Sequence, residues 1–303
     1  MKILDKVPEP WLTRFKTLGA VRNNGVKAVV LVGGCVRDMI LGRAPADWDV
    51  LADGDAGPLL VEAEKRFQVA KTVRHAAFLT ATVHFSDGTA LDVATARTET
   101  YPRPAALPVV KPAPLAEDFH RRDFTVNAMA VHLTPDRWGE LEDPLRGRED
   151  LEKGTIRALH DRSFSDDPTR IFRAARYAGR YGWTVEPRTM DRIREALREN
   201  LPALLSPARR RNELTHLLTE SDAGLAMKLL WDWGAWKYWS PSFHWTPAVA
   251  TALSAPSDAP LIPRLAALAD SGDRETARRD LAGLTYSHRM LESVAKVPPL
   301  SRS

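Results

Sequence analysis

The chain has 303 residues, a length that predicts two or three domains, and 44% of it is apolar, 27% is charged and the formal net charge is +4. No apolar stretch approaches the roughly 18 residues that a membrane span requires, and the N-terminal residues lack the apolar core of a secretory signal. We therefore expect a cytoplasmic protein with no membrane partner, and the single cysteine, Cys35, excludes an internal disulfide.

The first predicted elements form a strand, a tight turn and a short helix. The apolar run Ala28–Val32 predicts a buried strand, Gly33-Gly34 a turn, and residues 36–41 a helix. Bare backbone N–H groups at Gly34, followed by a helix N-terminus, favour an anion. Arg37 offers a planar fork for a phosphate. This segment is therefore a candidate phosphate-binding turn.

Two carboxylates stand at the next predicted strand, residues 48–51. Asp47 and Asp49 are two residues apart, so on an extended backbone they point the same way, with Cα atoms about 6.5 to 7 Å apart. That spacing lets both share divalent cations, and Mg²⁺ prefers hard oxygen ligands together with water and substrate phosphates. The alternative is that Asp47 only caps or turns the chain and Asp49 is a solvated strand residue.

A third carboxylate lies on a later strand. After a helix over residues 58–67, the Ser86-Asp87-Gly88 turn predicts a hairpin between residues 78–85 and 89–96, and the returning strand carries Asp92. A two-metal site needs a third carboxylate near an aspartate pair, which makes Asp92 a candidate. Otherwise Asp92 is a surface residue opposite a polar neighbour.

Residues 98–117 contain five prolines without periodicity and predict a long loop. The next segment, EDFHRRDFTVNAMAV (117–131), places Arg122 beside Asp123. A guanidinium can hold a triphosphate, and a carboxylate can accept a hydrogen bond from a ribose hydroxyl. Alternatively, Arg122 and Asp123 form a plain salt bridge before a buried strand.

An arginine-rich helix is predicted over residues 164–183. Eleven arginines and no lysine occur between residues 164 and 214, and four of them form one helix face: Arg170, Arg173, Arg176 and Arg180. Asp167 lies one turn from Arg170, so both side chains can reach the same ligand. Cytosine and adenine show an amino donor beside a ring-nitrogen acceptor, and uracil and guanine reverse that order, so a carboxylate with an arginine would select C and A. The alternative is a solvated face of intrahelical ion pairs.

These motifs resemble the class II tRNA nucleotidyltransferase and bacterial poly(A) polymerase family, within the polymerase-beta-like nucleotidyltransferases. The resemblance is carried by GG-x-VRD with D-x-D, by LDVATART, by RRDFT-x-NA, by ED-x-x-R and by ERI-x-x-EL. Asp166 replaces the usual Glu of ED-x-x-R, which leaves its role open. Ala208 stands where Glu is common in the last motif, which keeps Arg209 and Glu213. The motifs follow one another over residues 28–218.

The resemblance implies an α+β protein. Its polymerase-beta-like nucleotidyltransferase head, a mixed β-sheet with helices, is followed by an all-helical neck and a helical body or tail. We place the catalytic head at residues 1–140, the neck that recognises the base at 141–218, and the probable tRNA-binding body and tail at 219–303.

The implied activity is template-independent addition of C and/or A to the tRNA 3' end. The substrates would be CTP, ATP and the tRNA acceptor end, pyrophosphate would be released, and two Mg²⁺ ions would be the cofactor. The implied catalytic residues are Asp47, Asp49 and Asp92, of which Asp47 and Asp49 hold metal. The implied nucleotide-binding residues are Gly34, Arg37, Arg122, Asp123, Asp167, Arg170, Arg173 and Arg176, with Arg122 on the nucleotide and Asp123 on its sugar.

Three rival interpretations share parts of this pattern. Enzymes that add only A, only CC or a poly(A) tail carry every motif quoted. A catalytically silent RNA-binding protein is the second, although it needs no same-face carboxylates. His160-Asp161 suggests the third, an HD-type phosphohydrolase, but the further His and Asp ligands of such sites are missing at suitable spacings. The pattern indicates no particular oligomeric state.

Overall fold

The computed structural model describes residues 3–22 and 25–300, which form two compact units. The first unit runs through Pro102 and includes Leu107–Lys153 and Arg157–His160. The second contains Arg103–Ala106, Gly154–Ile156 and the residues from Asp161 onward. The three-part division at residues 140 and 218 stays a prediction.

The first unit is built on a mixed sheet. Its strands, numbered along the chain, are β1 Ala28–Val32, β2 Asp49–Asp53, β3 Val69–His75, β4 Thr80–Phe85, β5 Ala90–Thr95, β6 Arg97–Thr100, β7 Val109–Pro112, β8 Ala130–His132 and β9 Leu141–Glu142. Its α-helices are α1 Trp11–Gly19, α2 Gly34–Ile40, α3 Gly57–Arg66, α4 Leu115–Asp118 and α5 Gly147–Glu152. Seven strands form the sheet in the order β3-β4-β5-β2-β1-β8-β9. Strands β2 and β5 run parallel, and the other neighbours in this sheet are antiparallel.

An aromatic core covers one face of this sheet and fixes which way β2 points. Trp48, directly before β2, packs on Trp11 and Phe15 of α1, with ring centroids 5.7 and 5.0 Å apart. Side chains alternate along an extended strand, so the next residue, Asp49, points to the opposite side of the sheet. The prediction for β1 is confirmed, and its continuous apolar run suits a strand buried between β2 and β8.

The long loop predicted over residues 98–117 is wrong in part, because β6 and β7 form an antiparallel ribbon. Thr98 pairs with Lys111, and Glu99 pairs with Val110. Most prolines of the segment lie outside the paired residues, and Pro112 is the last residue of β7. A proline at a strand end removes little from the hydrogen-bond ladder, so Pro112 does not prevent the ribbon from forming.

The second unit is helical among its described residues, apart from a short parallel pair, β10 Thr155–Ile156 with β11 Thr184–Val185. Its helices are α6 Ser163–Asp166, α7 Thr169–Tyr181, α8 Pro187–Arg198, α9 Pro207–Leu218, α10 Gly224–Asp232, α11 Pro247–Ser254, α12 Leu261–Asp270, α13 Arg274–Gly283 and α14 His288–Ala295. The predicted α+β class, with a mixed sheet followed by helices, is confirmed. In the described part of the chain, none of the helices has the length and apolarity to cross a membrane.

The single helix predicted over residues 164–183 is wrong, because the chain breaks between α6 and α7. Asp167 has an extended backbone, with φ −137° and ψ 94°. The ring of Pro168 disfavours a helical conformation in the residue before it, which explains the break. Helix α7 then ends at Gly182, whose φ of +68° is the left-handed conformation common after a helix C-terminus.

Candidate active site

Two aspartates meet at the start of the parallel strand pair. Asp49 opens β2 and is the register partner of Asp92 on β5. The Asp92 N–H donates to the Trp48 carbonyl oxygen at 3.0 Å, which extends the ladder by one residue. Register partners on neighbouring parallel strands are about 4.8 Å apart and point to the same face. The structure therefore places these two predicted site residues side by side.

Asp47 lies in a bend before β2, so the prediction that the backbone is extended from Asp47 to Asp49 is wrong. The charge of Asp47 still acts on Asp49. Burial raises the pKa of Asp49 to about 6, and the charges of Asp92 and Asp47 add to the increase while Arg122 opposes it. The three carboxylates therefore share one electrostatic environment, with Asp49 at its centre.

A cavity of about 370 Å³ opens beside this acidic pair. Its lining combines carboxylates, hydroxyls and three guanidinium groups. The polar lining residues are Asp49, His75, Thr80, Thr82, Asp92, Arg97, Arg121 and Arg122. A polyphosphate suits this mixture, because guanidinium groups bind its oxygens and carboxylates can hold a divalent cation that shields its charge.

The backbone of the turn after β1 lies close to the guanidinium group of Arg122 and to the carboxylate of Asp49. Gly33 has φ +77°, and a Cβ atom at this position would lie 3.3 Å from Arg122 Nη1 and 3.6 Å from Asp49 Oδ2. Glycine alone adopts such a conformation at little cost and leaves this space open. Helix α2 begins at the next residue, Gly34, two residues earlier than the predicted helix over residues 36–41.

A buried carboxylate that the sequence analysis did not single out holds Arg122. Asp118 is fully buried and accepts hydrogen bonds from Arg122 Nη2 at 2.8 Å and from Arg121 Nε at 2.7 Å. Burial disfavours the charged carboxylate, but Arg122 and Arg121 outweigh it and hold the pKa of Asp118 below its ordinary value. The spacing i, i+3, i+4 was the available signal for this pairing.

Three arginines of the cavity are held together by two carboxylates. Glu99 accepts from Arg97 at 3.1 Å and from Arg121 at 3.0 Å, and Asp118 also accepts from the backbone N–H of Arg97 at 3.2 Å. Guanidinium groups fixed in this way lose little conformational freedom when an anion binds. The cluster is therefore preorganised for a phosphate.

Arg37 and Asp123 belong to a hydrogen-bonded chain next to this cluster. The buried Arg37 donates twice to Asp38, at 3.0 Å each, and once to Asn127 Oδ1 at 2.7 Å. Asn127 Nδ2 donates to Asp123 Oδ1 at 3.0 Å. The planar guanidinium group of Arg37 thus binds Asp38. The contact of Arg37 with a phosphate stays a prediction. The arrangement ties α2 to the segment that carries Arg122.

Thr82 is a site residue that the sequence analysis missed. It faces Asp92 across β4 and β5, and its hydroxyl donates to Asp92 Oδ1 at 2.6 Å. The predicted hairpin contained this information, because counting back from its turn pairs Thr82 with Asp92. Thr82, Asp92 and Asp49 therefore form a polar row across three adjacent strands.

In the second unit, the break before α7 separates the two residues of the predicted base-selecting pair, Asp167 and Arg170. Asp167 stands just outside the helix, and its Oδ1 accepts from the N–H of Thr169 at 3.0 Å and from the Thr169 hydroxyl at 2.6 Å. Arg170 lies in the first turn, is 5% exposed, and donates to the Ser163 hydroxyl at 2.8 Å. Asp166 pairs instead with Arg162, at 3.1 Å.

The arginine face of α7 is only partly solvated: Arg180 is exposed and pairs with Glu220, whereas Arg170 is buried. Arg176 is 7% exposed, and Arg173 donates to the hydroxyl of Tyr177 at 3.0 Å. In the described part of the chain, Arg176 Nε and Glu213 Oε2 are buried without a hydrogen-bond partner. Burial also raises the pKa of Glu213, although Arg176 and Arg173 oppose the increase. Arg176 Nε nevertheless lies 3.9 Å from Glu220 Oε1, so an ion pair within the protein partly compensates its charge.

Among residues 3–22 and 25–300, no three His, Cys, Asp or Glu side chains are arranged to hold a metal ion by themselves. Mg²⁺ is commonly held by one or two carboxylates, with water and substrate phosphates completing its octahedron. Asp49 and Asp92, with Asp47 nearby, supply hard oxygen ligands whose like charges repel in the protein alone. This donor chemistry fits Mg²⁺ that binds together with a phosphate substrate.

Two family models match the chain. The first, described as the poly A polymerase head domain, matches residues 29–157, and the second, described as a probable RNA- and SrmB-binding site of polymerase A, matches residues 182–245. The first match contains the acidic pair and the arginine cluster. The second lies wholly in the helical unit.

Similar proteins carry related names. The chain is 38% identical over 231 residues to an A-adding tRNA nucleotidyltransferase of Halalkalibacterium halodurans, which covers 75% of this chain and 53% of that protein. It is 39% identical over 209 residues to a CC-adding tRNA nucleotidyltransferase of Deinococcus radiodurans, which covers 68% of this chain and 54% of that protein. The chain thus spans about half the length of these curated relatives.

A solved structure extends the likeness beyond the motifs. A CCA-adding enzyme in an apo form matches with a TM-score of 0.74 and 31% identity, over 99% of this chain and 70% of that chain. The match therefore includes the C-terminal helices, in which no motif was found. Since the family models, the sequence relatives and the fold all agree, the chain belongs to the class II tRNA nucleotidyltransferase and bacterial poly(A) polymerase family.

Proposed function

We propose that the protein is a template-independent nucleotidyltransferase that adds C and/or A to the 3' end of tRNA from CTP and ATP and releases pyrophosphate. The observation that carries the proposal is the in-register pair of Asp49 and Asp92 beside a cavity lined by Arg122. A protein that only binds RNA gains nothing from two like charges held side by side. The cytoplasmic location expected from the sequence is part of the same proposal.

The first unit would position the triphosphate and the attacking hydroxyl. Arg122, fixed by Asp118, orients the phosphates, and the bare turn at Gly33 lets them approach the backbone. Asp47, Asp49 and Asp92 would hold Mg²⁺, which supplies charge neutralisation for the 3'-hydroxyl and the departing pyrophosphate. The residues act mainly by positioning and by preorganised charge.

The second unit would select the base. Asp167 accepts from the exocyclic amino group of cytosine or adenine, and Arg170 donates to the neighbouring ring nitrogen. Uracil and guanine would place a donor against Arg170 and an acceptor against Asp167. A mispaired buried group costs about 1 to 3 kcal/mol, so burial of Arg170 strengthens the discrimination. Arg173 and Arg176, on the same face of α7, would contact the bound nucleotide.

The proposal includes A-only, CC-only and full CCA addition. Relatives named for A addition and for CC addition are similarly close, at 38% and 39% identity. The carboxylates, the arginine cluster and the base-selecting pair serve each of these reactions equally well.

Incorporation assays test the proposal directly. Purified protein and Mg²⁺ are given one labelled nucleotide at a time with three RNAs: tRNA ending at the discriminator base, tRNA ending in CC, and an RNA with an unrelated 3' end. We expect C on the first RNA, A on the second, or both. Many A residues on the unrelated RNA would instead identify a poly(A) polymerase. RNA binding without any incorporation would contradict the proposal and favour the silent RNA-binding protein.

Asp167→Asn should relax the choice of base. The amide presents a donor as well as an acceptor, so we expect the preference for CTP or ATP over UTP or GTP to fall about ten- to a hundredfold. The measurement is kcat/KM for each nucleotide on one RNA. Asp166→Asn is the matched control, because Asp166 pairs with Arg162, and it should keep the wild-type preference. If Asp167→Asn and Asp166→Asn show the same nucleotide preference, Asp167 does not take part in base selection.

Gly33→Ala should weaken nucleotide binding, because the added Cβ would lie 3.3 Å from Arg122 Nη1. We expect the nucleotide KM to rise about tenfold and the free energy of unfolding to fall by about 1 to 3 kcal/mol, since φ +77° with ψ −137° is a conformation that glycine alone adopts readily. Gly42→Ala supplies the control: its φ is +70° and nothing lies within 4 Å of the added carbon. That variant should show the stability loss in urea without the change in KM. A normal KM for Gly33→Ala would mean that the turn does not border the nucleotide.

A further inference from the structure

The carboxylate of Asp167 is held by a residue from another helix. Besides the two hydrogen bonds from Thr169, its Oδ1 accepts from Arg209 Nη2 at 2.7 Å. Thr169 provides local contacts of the kind found in Asx turns. Arg209 belongs to α9, so it ties the break before α7 to a separate element of the same unit.

Arg209 is itself fixed at both ends. Its Nη1 donates to the carbonyl oxygen of Ala105 at 2.8 Å, so its two terminal nitrogens serve two different acceptors. Its backbone N–H donates to the hydroxyl of Ser206, which caps α9, at 3.3 Å. The side chains of Arg209 and Asp167 are each 22% exposed, so the pair is largely shielded from water. A guanidinium held this way cannot rotate without breaking one of its contacts.

The hydrogen bonds from Thr169 and Arg209 leave one carboxylate oxygen of Asp167 available. All three hydrogen bonds go to Oδ1, and within residues 3–22 and 25–300 no group donates a hydrogen bond to Oδ2. Without Arg209, the carboxylate keeps only the contacts from Thr169, and its plane can turn about the terminal torsion. The arginine therefore restrains the direction in which the remaining oxygen points.

We propose that Arg209 is a positioning residue for nucleotide selection, which presents Asp167 Oδ2 to the amino group of the incoming base. The inference rests on the proposed function, because it assigns Asp167 to base selection. Arg209 itself would not contact the base. Its contribution is a fixed acceptor geometry, which favours a base with an amino donor over one with a carbonyl at that position.

The test compares Arg209→Met and Arg209→Lys with wild type in the full chain. We expect Arg209→Met to lower the ratio of kcat/KM for CTP or ATP over UTP about tenfold. Arg209→Lys keeps the charge but cannot bridge both acceptors, so an intermediate ratio is expected. Arg211→Met on the same helix, which removes a contact to the Thr285 carbonyl, should leave the ratio unchanged. Thermal unfolding of each variant separates lost selectivity from lost folding.

A double-mutant cycle with Asp167→Asn makes the inference falsifiable. If Arg209 acts through Asp167, Arg209→Met should not reduce the ratio further once Asp167 is Asn. An unchanged ratio in both Arg209 variants, or an equal reduction with and without Asp167, would overturn the inference while Asp167→Asn still relaxes selection. If Asp167→Asn keeps full selectivity, the base-selection part of the proposed function fails instead. If the wild type incorporates no nucleotide, both the proposed function and the inference about Arg209 are contradicted.

Discussion

Asp49→Asn should lower nucleotide incorporation by about a thousandfold or more, the largest effect that we expect from any single substitution. Asp49 is the register partner of Asp92 and the carboxylate on which Asp92 and Asp47 both act. An amide keeps the shape but loses the charge that would hold a cation against the triphosphate, and such preorganised charge supplies much of the rate. Single-turnover incorporation at saturating nucleotide measures the effect.

Asp53→Asn is the control for this substitution. Asp53 ends the same strand, and its carboxylate accepts from the backbone N–H of Leu115 at 3.3 Å, away from the acidic pair. It should keep incorporation within a few-fold of wild type. Substantial activity in Asp49→Asn, or an equal loss in both variants, would refute the assignment of the acidic pair.

Asp49→Asn should also stabilise the metal-free protein. The pKa of Asp49 is about 6 in the folded chain and 3.8 ordinarily, so the folded state holds this proton more tightly and ionisation destabilises it. The advantage of Asp49→Asn should therefore grow from about pH 4 to about pH 6 and level off above, at no more than about 3 kcal/mol. Urea unfolding in EDTA between pH 5 and 8 measures it. A constant difference across that range would mean that the pKa of Asp49 is ordinary.

Asp118→Ala should destabilise the protein by about 3 to 5 kcal/mol, the largest stability effect that we expect. The substitution leaves Arg121 and Arg122 without their buried partner, and a buried charge that loses its partner is costly. Arg122 would also be free to leave the cavity, so the nucleotide KM should rise. Urea unfolding in the absence of nucleotide gives the stability change.

An exposed ion pair provides the comparison for Asp118. Asp136 pairs with Arg22, but its side chain is 64% exposed. Asp136→Ala should cost less than about 1 kcal/mol, because solvent screens such pairs. If Asp118→Ala costs no more than this control, the buried cluster is not what fixes Arg122.

Local patterns predicted much of the fold. The run AVVLV between Lys27 and Gly33 gave β1 at its observed residues, and the hairpin around Asp87 and Gly88 gave β4 and β5 with only shorter ends. Asp92 could be placed on the correct strand because side-chain alternation and turn position are local properties. That Asp92 lies beside Asp49 depends on which strands become neighbours, and no local pattern specifies this.

Two errors have different physical origins. The pairing of β6 with β7 joins residues on both sides of a proline-rich connection, and the local sequence there resembles an irregular loop. The break at Asp167, by contrast, was predictable, since a residue before proline avoids the helical region. Ser165, Asp166 and Asp167 have the character of a helix N-cap and an acidic first turn, and proline is acceptable near a helix start, which favoured one helix across the break.

The contacts that fix the functional side chains were the least visible. Asp118 has helical spacing to Arg121 and Arg122, but an exposed ion pair has the same spacing, and sequence does not reveal burial. Arg209 and Asp167 are far apart in the chain, so their contact follows only from the packing of α7 and α9. Arg209 belongs to a recognised motif, yet the motif does not say which side chain the arginine contacts.

The connectivity of the sheet bears on the order of assembly. Strands β2 and β5 are neighbours in space, yet α3, β3 and β4 lie between them along the chain. Strands β3, β4 and β5 are joined by consecutive hairpin connections, so they can pair early. The contact between β2 and β5 closes a longer stretch of chain, which costs more conformational entropy, so this contact forms late. The acidic pair would thus come into being only when the sheet closes. A nascent chain or proteolytic fragment that ends before Ala90 would contain Asp47 and Asp49 and still lack it.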